Sequence, residues 1–277
     1  MPKPWSTAAV GQWLDNGHLS LLYFDTSVNE KKEVVSLNTR WRRESRMKDD
    51  AFVLKLSGSL LFAKKGLDVS FIQTLHEFLR RQAFEKGFRF FLVVSGGPLS
   101  PLYRDAAVSI AGQRLTRQHL RMLEVHPSRL NAHFLRILFA DIAHPVVIEN
   151  YEKIQKPKKP IVVFAGSPSS FSTDHDAVSI AKDYNIQKVI KLGAARYIYN
   201  KDPRKYKDPT PFKKLSWQQY RTMIGGRWIP DRVAPFDPMA ARAAGRAKLN
   251  LYYVLGKDIE NLRRLLKGEK FRGTTVA

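Results

Sequence analysis

Short apolar runs alternating with stretches of helical spacing constrain this chain more than any other feature. From Ala51 onward AFVLKL, FRFFLVV, IVVFAG, KVIKL and NLYYVL are too short for buried helices, are rich in β-branched and aromatic residues, and so read as buried strands. Between them Val69 to Lys86 sets Phe71, Ile72, Leu75, Phe78 and Leu79 on one face, with Gly87 placed as a C-cap. Helices are also expected over Tyr103 to Gln113, Arg129 to Ala140, Asp174 to Lys182 and Trp217 to Ile224, over DPMAARAAGRA opened by Asp237 and Pro238, and over DIENLRRLLKG; PVVI reads as one more short strand. Strands alternating with helices predict a three-layer α/β/α sandwich with a mostly parallel sheet, covered on both faces. Sheets of that kind take ligands at the carboxyl ends of their strands, which directs attention to the loops there.

The first fifty residues differ. HLSLLYFDTS and EVVSLNT flank the polar VNEKK, which predicts a β-hairpin, and RWRRESRMKDD follows as a basic junction. The expected division is therefore an N-terminal extension over 1–50 and an α/β domain over 51–277. The junction is either an arm for phosphates or a solvated linker.

Composition removes several alternatives. With 277 residues, 44% hydrophobic and 11% aromatic, the chain can bury a substantial core. It has no cysteine, so disulfides, thiolate metal sites, iron–sulfur clusters and cysteine nucleophiles are excluded. No apolar run approaches a membrane span, and the N-terminus lacks the layout of a secretory signal, so the chain reads as soluble and cytoplasmic. Forty-seven Lys and Arg against 25 Asp and Glu leave a formal charge of +22. That surplus fits either a polyanionic partner such as RNA, or a generally basic surface.

Three strand ends carry residue types that suit phosphate chemistry. Lys55, Ser57 and Gly58 follow the first run, setting a cation beside a tight turn. Ser95, Gly96 and Gly97 follow the second, where missing side chains let backbone N–H groups close on an anion. GSPSSFSTD, from Gly166 to Asp174, follows the third and leads into a helix N-terminus. Each loop alone is compatible with a simple turn, and the chain has no Walker pattern of Gly, four residues, then Gly-Lys-Ser/Thr. Their order on successive strands is what makes the set informative.

In combination with SRLNA at Ser128 to Ala132, YNKDPRK at Tyr199 to Lys205, APFDPMAARAA and the terminal RGTTV, these segments resemble the uridylate (UMP) kinases of the amino-acid-kinase family, in order from about Asp50 to the C-terminus. The resemblance implies Mg²⁺-dependent transfer of the ATP γ-phosphate to UMP, commonly by a homohexamer. Position by position, it implies that Lys55 contacts the transferred group, that Ser57, Gly58 and Gly97 surround the ATP phosphates, and that Tyr199 and Asp202 hold the adenosine. Gly96, Gly166, Phe171, Ser172 and Thr173 would line UMP, and Asp174 and Asp237 would organise the catalytic centre. Asp174 and Asp237 also fit helix N-caps, and Asp202-Pro203 a turn. An ionised phosphate acceptor needs no general base, so a site poor in His and free of Cys is no obstacle.

Several positions depart from that pattern. The acidic residue expected on the UMP ribose falls at Arg121 and the following Gly at Glu124, while the three-glycine loop begins with Ser95, which would cost roughly 1 kcal/mol if forced to positive φ. The Arg expected beyond that loop falls at Pro101 or Leu102, and the stretch expected to hold a Lys, a Thr or Ser and an Asp-Gly pair reads Lys191, Leu192, Gly193, Ala194, Ala195, Arg196, Tyr197. Each lost charge-assisted hydrogen bond costs about 1.5 to 3 kcal/mol, a ten- to hundredfold weakening. The alternative to a kinase is thus a non-catalytic member of the fold serving as an RNA-associated or scaffold subunit.

Overall fold

The computed structural model describes residues 50–149, 155–170, 172–203, 205–225 and 234–277. All of them fall in one compact unit that runs from Met47 to Ala277. The expected N-terminal hairpin and basic junction lie outside the described residues, as does Phe171.

The strands are β1 (Ala51–Leu56), β2 (Phe62–Ala63), β3 (Gly66–Leu67), β4 (Arg89–Val94), β5 (Ile161–Phe164), β6 (Lys188–Gly193), β7 (Ile198–Tyr199), β8 (Pro211–Phe212), β9 (Lys214–Leu215), β10 (Asn250–Leu255) and β11 (Thr274–Val276). The helices are α1 (Val69–Lys86), α2 (Leu99–Ala111), α3 (Arg117–Leu138), α4 (Thr173–Asp183), α5 (Trp217–Ile224), α6 (Pro238–Arg246) and α7 (Ile259–Leu266). A seven-stranded sheet in the order β5-β4-β1-β6-β10-β11-β9 forms the middle layer, parallel except where β10 meets β11. β2 and β3 pair as one small hairpin, β7 and β8 as another.

Alternation along each strand divides the core in two. Phe52, Leu54 and Leu56 with Phe90, Leu92 and Val94 pack against α1, α3 and α7. Val53, Phe91, Val93 and Val189 pack on the other face against α4, α5 and α6. Because neighbouring positions alternate between faces, Lys55 and Lys191 belong to the second face, beneath α4.

The expected strands are found with little change, and Gly87 closes α1 in the left-handed region at φ 74°. Two helices begin earlier than the spacing predicts, α2 at Leu99 and α3 at Arg117. In α3 the reason is Pro127, which reads as a stop but lies inside the helix. Its ring sits against Gly96, where an added Cβ would fall 2.7 Å from the Pro127 Cβ. PVVI contributes only an isolated bridge, from Ile148 to Phe164, beyond the edge of β5; Ala143, two residues before that run, bridges Ile161.

Candidate active site

Two lysines share one carboxylate. Lys55 near the end of β1 and Lys191 near the end of β6 are register partners on adjacent strands, and both are buried. Asp174, in the first turn of α4, reaches down between them: its Oδ1 lies 3.3 Å from Lys55 Nζ and accepts a hydrogen bond from Lys191 Nζ. The other oxygen, Oδ2, accepts the Asp237 backbone N–H at 3.1 Å. Burial alone would raise the Asp174 pKa, but Lys191, Lys55 and the Asp237 N–H overcome it and hold the carboxyl at about 2. Burial, aided by the charge of Lys55, lowers Lys191 to about 7 despite its bond to Asp174. With both lysines charged the cluster carries one cation more than it has counter-charge, which is the electrostatic signature of an anion site.

Asp174 is not a helix cap. Ser172 is the N-cap of α4, its hydroxyl accepting from the His175 N–H at 3.2 Å. Asp237 does cap α6: its Oδ1 accepts from Met239 and Ala240 at 2.8 and 2.9 Å. Burial, with repulsion from Asp174, raises the Asp237 pKa against those N–H groups.

The loops after β1 and β4 interlock. Ser95 Oγ accepts the Gly58 N–H at 2.7 Å and stands 3.4 Å from Lys55 Nζ, while its carbonyl accepts from Asn131 Nδ2 at 2.9 Å. Among the described residues, Asn185 and Lys248 are the non-glycine residues at positive φ, so Ser95 carries no such strain, and its hydroxyl is in use. Gly58 and Gly97 are in backbone contact: a Cβ on Gly58 would fall 2.3 Å from the Gly97 nitrogen, and Gly97 itself has φ 64°. Ser57 lies between β1 and this contact, its N–H donating to the Leu192 carbonyl at 3.1 Å.

The loop after β5 is clamped from two helices. Gly166 donates its N–H to Ser128 Oγ at 3.0 Å. The Ser167 N–H donates to Asp176 Oδ2 at 3.3 Å, and its carbonyl accepts from Arg121 Nη2 at 2.9 Å. Arg121 also pairs with Glu124 at 3.2 Å, so two of the departures from the expected pattern bond to each other. An acidic side chain at 121 could not donate to that carbonyl. Asp176 is buried with Oδ1 unpartnered. Burial pushes its carboxyl up to about 7, against Ser170, Arg121, the Ser167 N–H and Lys55. Thr173 opens α4 just beyond this loop.

Tyr199 and Asp202 sit in and after β7, outside the lysine cluster. Tyr199 packs edge-on to Tyr197 at 6.2 Å, and the Asp202 carbonyl accepts from Lys205 and Tyr206, forming a turn. Among the described residues, no group of three or more His, Asp and Glu side chains is placed to share a metal ion, and no helix is long and apolar enough to cross a membrane.

Lys191 and Asp176 were not given a role in the site from the sequence, whereas Ser167 falls within the loop from Gly166 to Thr173 that was expected to line UMP. A signal for Lys191 was present: VLKL at 53–56 and VIKL at 189–192 are nearly the same strand, each with a lysine where apolar neighbours predict burial.

Comparison with known proteins agrees with this fold. The chain is 27% identical over 221 residues to the uridylate kinase of Hyperthermus butylicus, covering 79% of this chain and 94% of that protein. It is 28% identical over 228 residues to the uridylate kinase of Methanobrevibacter smithii, covering 81% and 97%. Its fold superposes on the crystal structure of uridylate kinase from Archaeoglobus fulgidus with a TM-score of 0.66 at 24% identity, covering 82% of this chain and 99% of that one. It superposes on UMP kinase from Bacillus anthracis with 0.64 at 16%, covering 82% and 95%. The sequence model of the amino acid kinase family matches residues 50–252, most of the chain and all of the interlocked loops, and the protein belongs to that family.

Proposed function

We propose that the protein transfers the γ-phosphate of ATP to UMP, giving ADP and UDP. The observation that carries this reading is the pair of buried lysines on one carboxylate at the carboxyl edge of the sheet, ringed by the three loops. In the reaction an oxygen of the UMP phosphate forms a bond to the γ-phosphorus while the bond from that phosphorus to the β–γ bridging oxygen breaks, its electrons leaving with ADP. Charge spreads over the γ-oxygens in the transition state, so fixed cations in a buried site contribute most of the catalysis. Lys55 would hold the transferred group, Lys191 the phosphates beside it, and Asp174 would fix both ammonium groups.

Ser57, Gly58 and Gly97 would surround the ATP phosphates, and Tyr199 and Asp202 would lie toward the adenosine. Gly96, Gly166, Phe171, Ser172 and Thr173 would face UMP, with Arg121 acting through its hold on Ser167. Both oxygens of Asp174 are engaged and Asp237 is a cap, so the described residues offer no cage of their own for Mg²⁺. The ion fits as part of MgATP, since Mg²⁺ keeps its waters and binds mainly through substrate phosphates. Homo-oligomerisation belongs to the same reading and is supported by α2, which buries none of its residues and exposes Leu102, Tyr103 and Ile110 at 63%, 57% and 80%.

The test is ADP release with UMP under saturating ATP and Mg²⁺. Turnover that is lost in Lys55→Ala is expected, and no turnover with any pyrimidine monophosphate would overturn the proposal. The RNA-associated alternative rests on the substituted ligand positions, the N-terminal extension and the +22 charge taken together.

A further inference from the structure

The sheet has a second edge, and positive charge without counter-charge gathers there. β5, β4, β1, β6 and β10 lie side by side and parallel, so their starts share the edge opposite the loops after β1, β4 and β5, about 20 Å away along six-residue strands. Register keeps those starts level: Ala51 is opposite Arg89, Phe90 opposite Ile161 and Lys188 opposite Asn250. Hydrogen bonds tie neighbouring connections together along this edge. Arg89 Nη2 donates to the Pro157 carbonyl at 2.6 Å, the Phe90 N–H to the Pro160 carbonyl at 2.8 Å, and the Asn250 N–H to the Gln187 carbonyl at 2.9 Å.

Four of the five connections present an exposed cation. Lys156 and Lys158 precede β5, Lys86 precedes β4, Lys182 precedes β6, and Arg246 and Lys248 precede β10. The fifth, before β1, begins among the described residues with the half-buried Asp50. Lys86, Lys182 and Arg246 stand in the last turns of α1, α4 and α6, where a cation complements the helix dipole. Lys156, Lys158 and Lys248 lie outside any helix, so the dipole does not account for them. Pro157 and Pro160 are buried with their carbonyls in use, which fixes the loop that holds the exposed Lys156 and Lys158. On other surfaces cations have carboxylate partners, as Arg263 has Glu260, Arg272 has Asp258 and Lys257 has Asp68. Among the described residues, Lys86, Lys156, Lys158, Arg246 and Lys248 form no ion pair. Of the acids nearby, Glu85 pairs with Arg81 at 4.0 Å and Asp183 faces Lys182. No exposed large apolar side chain lies in the described parts of these connections, so the edge has nothing to insert into a bilayer and no platform on which unpaired bases could stack.

We infer that this amino edge is a docking surface for double-stranded nucleic acid, gripped through its phosphates without reading of the bases. The row crosses four strand spacings, about 19 Å, and a duplex carries one charge per about 1.7 Å of its axis, so several cations meet phosphates at once. Lys55 and Lys191 lie toward the other edge, so the surface is independent of the nucleotide site and of the kinase reading.

The test uses the full chain and a fluorescent DNA duplex of about 20 base pairs, with binding followed by anisotropy between about 50 and 200 mM salt. Binding is expected to be indifferent to sequence, to weaken steeply with salt and to persist under saturating MgATP and UMP. A variant combining Lys156→Gln, Lys158→Gln, Arg246→Gln and Lys248→Asn removes four cations, asparagine being chosen because residue 248 has φ 51°. At unchanged Tm, its slope of log affinity against log salt should be shallower by about 3.6, at roughly 0.9 per lost phosphate contact. A variant that keeps the wild-type slope would overturn the inference, because the duplex would then be held elsewhere on the chain. Displacement of the duplex by MgATP or UMP would overturn it as well, and so would binding to phosphatidylserine vesicles with none to the duplex.

Discussion

Asp176→Asn should change stability by an amount that depends on pH, lowering it at pH 4 and raising it above pH 7. The carboxyl is buried among α4, Arg121 and the loop after β5, with Oδ2 taking the Ser167 N–H and Oδ1 unpartnered. Burial lifts its pKa from the ordinary 3.8 to about 7. At about 1.36 kcal/mol per pKa unit, keeping it ionised in the folded state costs up to roughly 4 kcal/mol. Because the folded-state pKa is raised, the contribution to stability is fully present below pH 4, falls as pH rises through 7, and is flat above. Asparagine keeps an oxygen for the Ser167 N–H and does not titrate. Its amide also brings a buried donor that needs a partner, a cost of about 1 to 3 kcal/mol that does not vary with pH. The difference in Tm between variant and wild type should therefore climb between pH 4 and pH 8, by up to roughly 8 to 16 °C for a domain of this size. The assay is thermal unfolding of both proteins across that range. A difference that stays constant with pH would refute the reasoning, because it would mean that Asp176 ionises in the folded protein as it does in the unfolded chain.

Other perturbations bear on the site directly. Asp174→Asn leaves two buried lysines without their shared counter-charge and should destabilise the fold by about 3 kcal/mol in denaturant unfolding, with kcat in the ADP-release assay lower by on the order of a hundredfold. Phosphate binding should restore a proton to Lys191, whose pKa near 7 leaves it mostly neutral at pH 8. Calorimetry of ATP binding at that pH, in two buffers of different ionisation enthalpy, should show proton uptake that Lys191→Met abolishes, and the affinity should fall as pH rises above 7. Arg121→Ala frees the Ser167 carbonyl and should raise KM for UMP by about tenfold with little change in kcat; an unchanged KM would show that the clamp does not shape the acceptor site.

What was legible in the sequence was whatever local pattern controls. Apolar runs and helical spacing gave the layers and most boundaries, because burial on two faces leaves a strand few alternatives. The start of α3 was hidden because Pro127 ordinarily ends a helix, whereas here it lies inside one with its ring against Gly96 in the loop after β4. Lys55 stood out beside a glycine turn, whereas Lys191 became significant only once the register placed it next to Lys55. Ser95, Arg121 and Glu124 looked like losses because the residues they bond, Gly58, Ser167 and each other, are far away in the chain or lie in a helix whose start was not expected. Pairwise chemistry across a fold is invisible to a reading that takes positions one at a time.

The contact between Gly58 and Gly97 has an evolutionary and an engineering side. Each glycine occupies the volume a side chain on the other would require, so changing either one alone pushes a whole loop out of place, and changing both only worsens the collision. Positions at the loops' rims have room for other side chains, but this point cannot be changed by single steps. For anyone redesigning the protein toward another phosphate acceptor, these two residues mark the boundary between what can be recombined freely and what must be carried over as one piece.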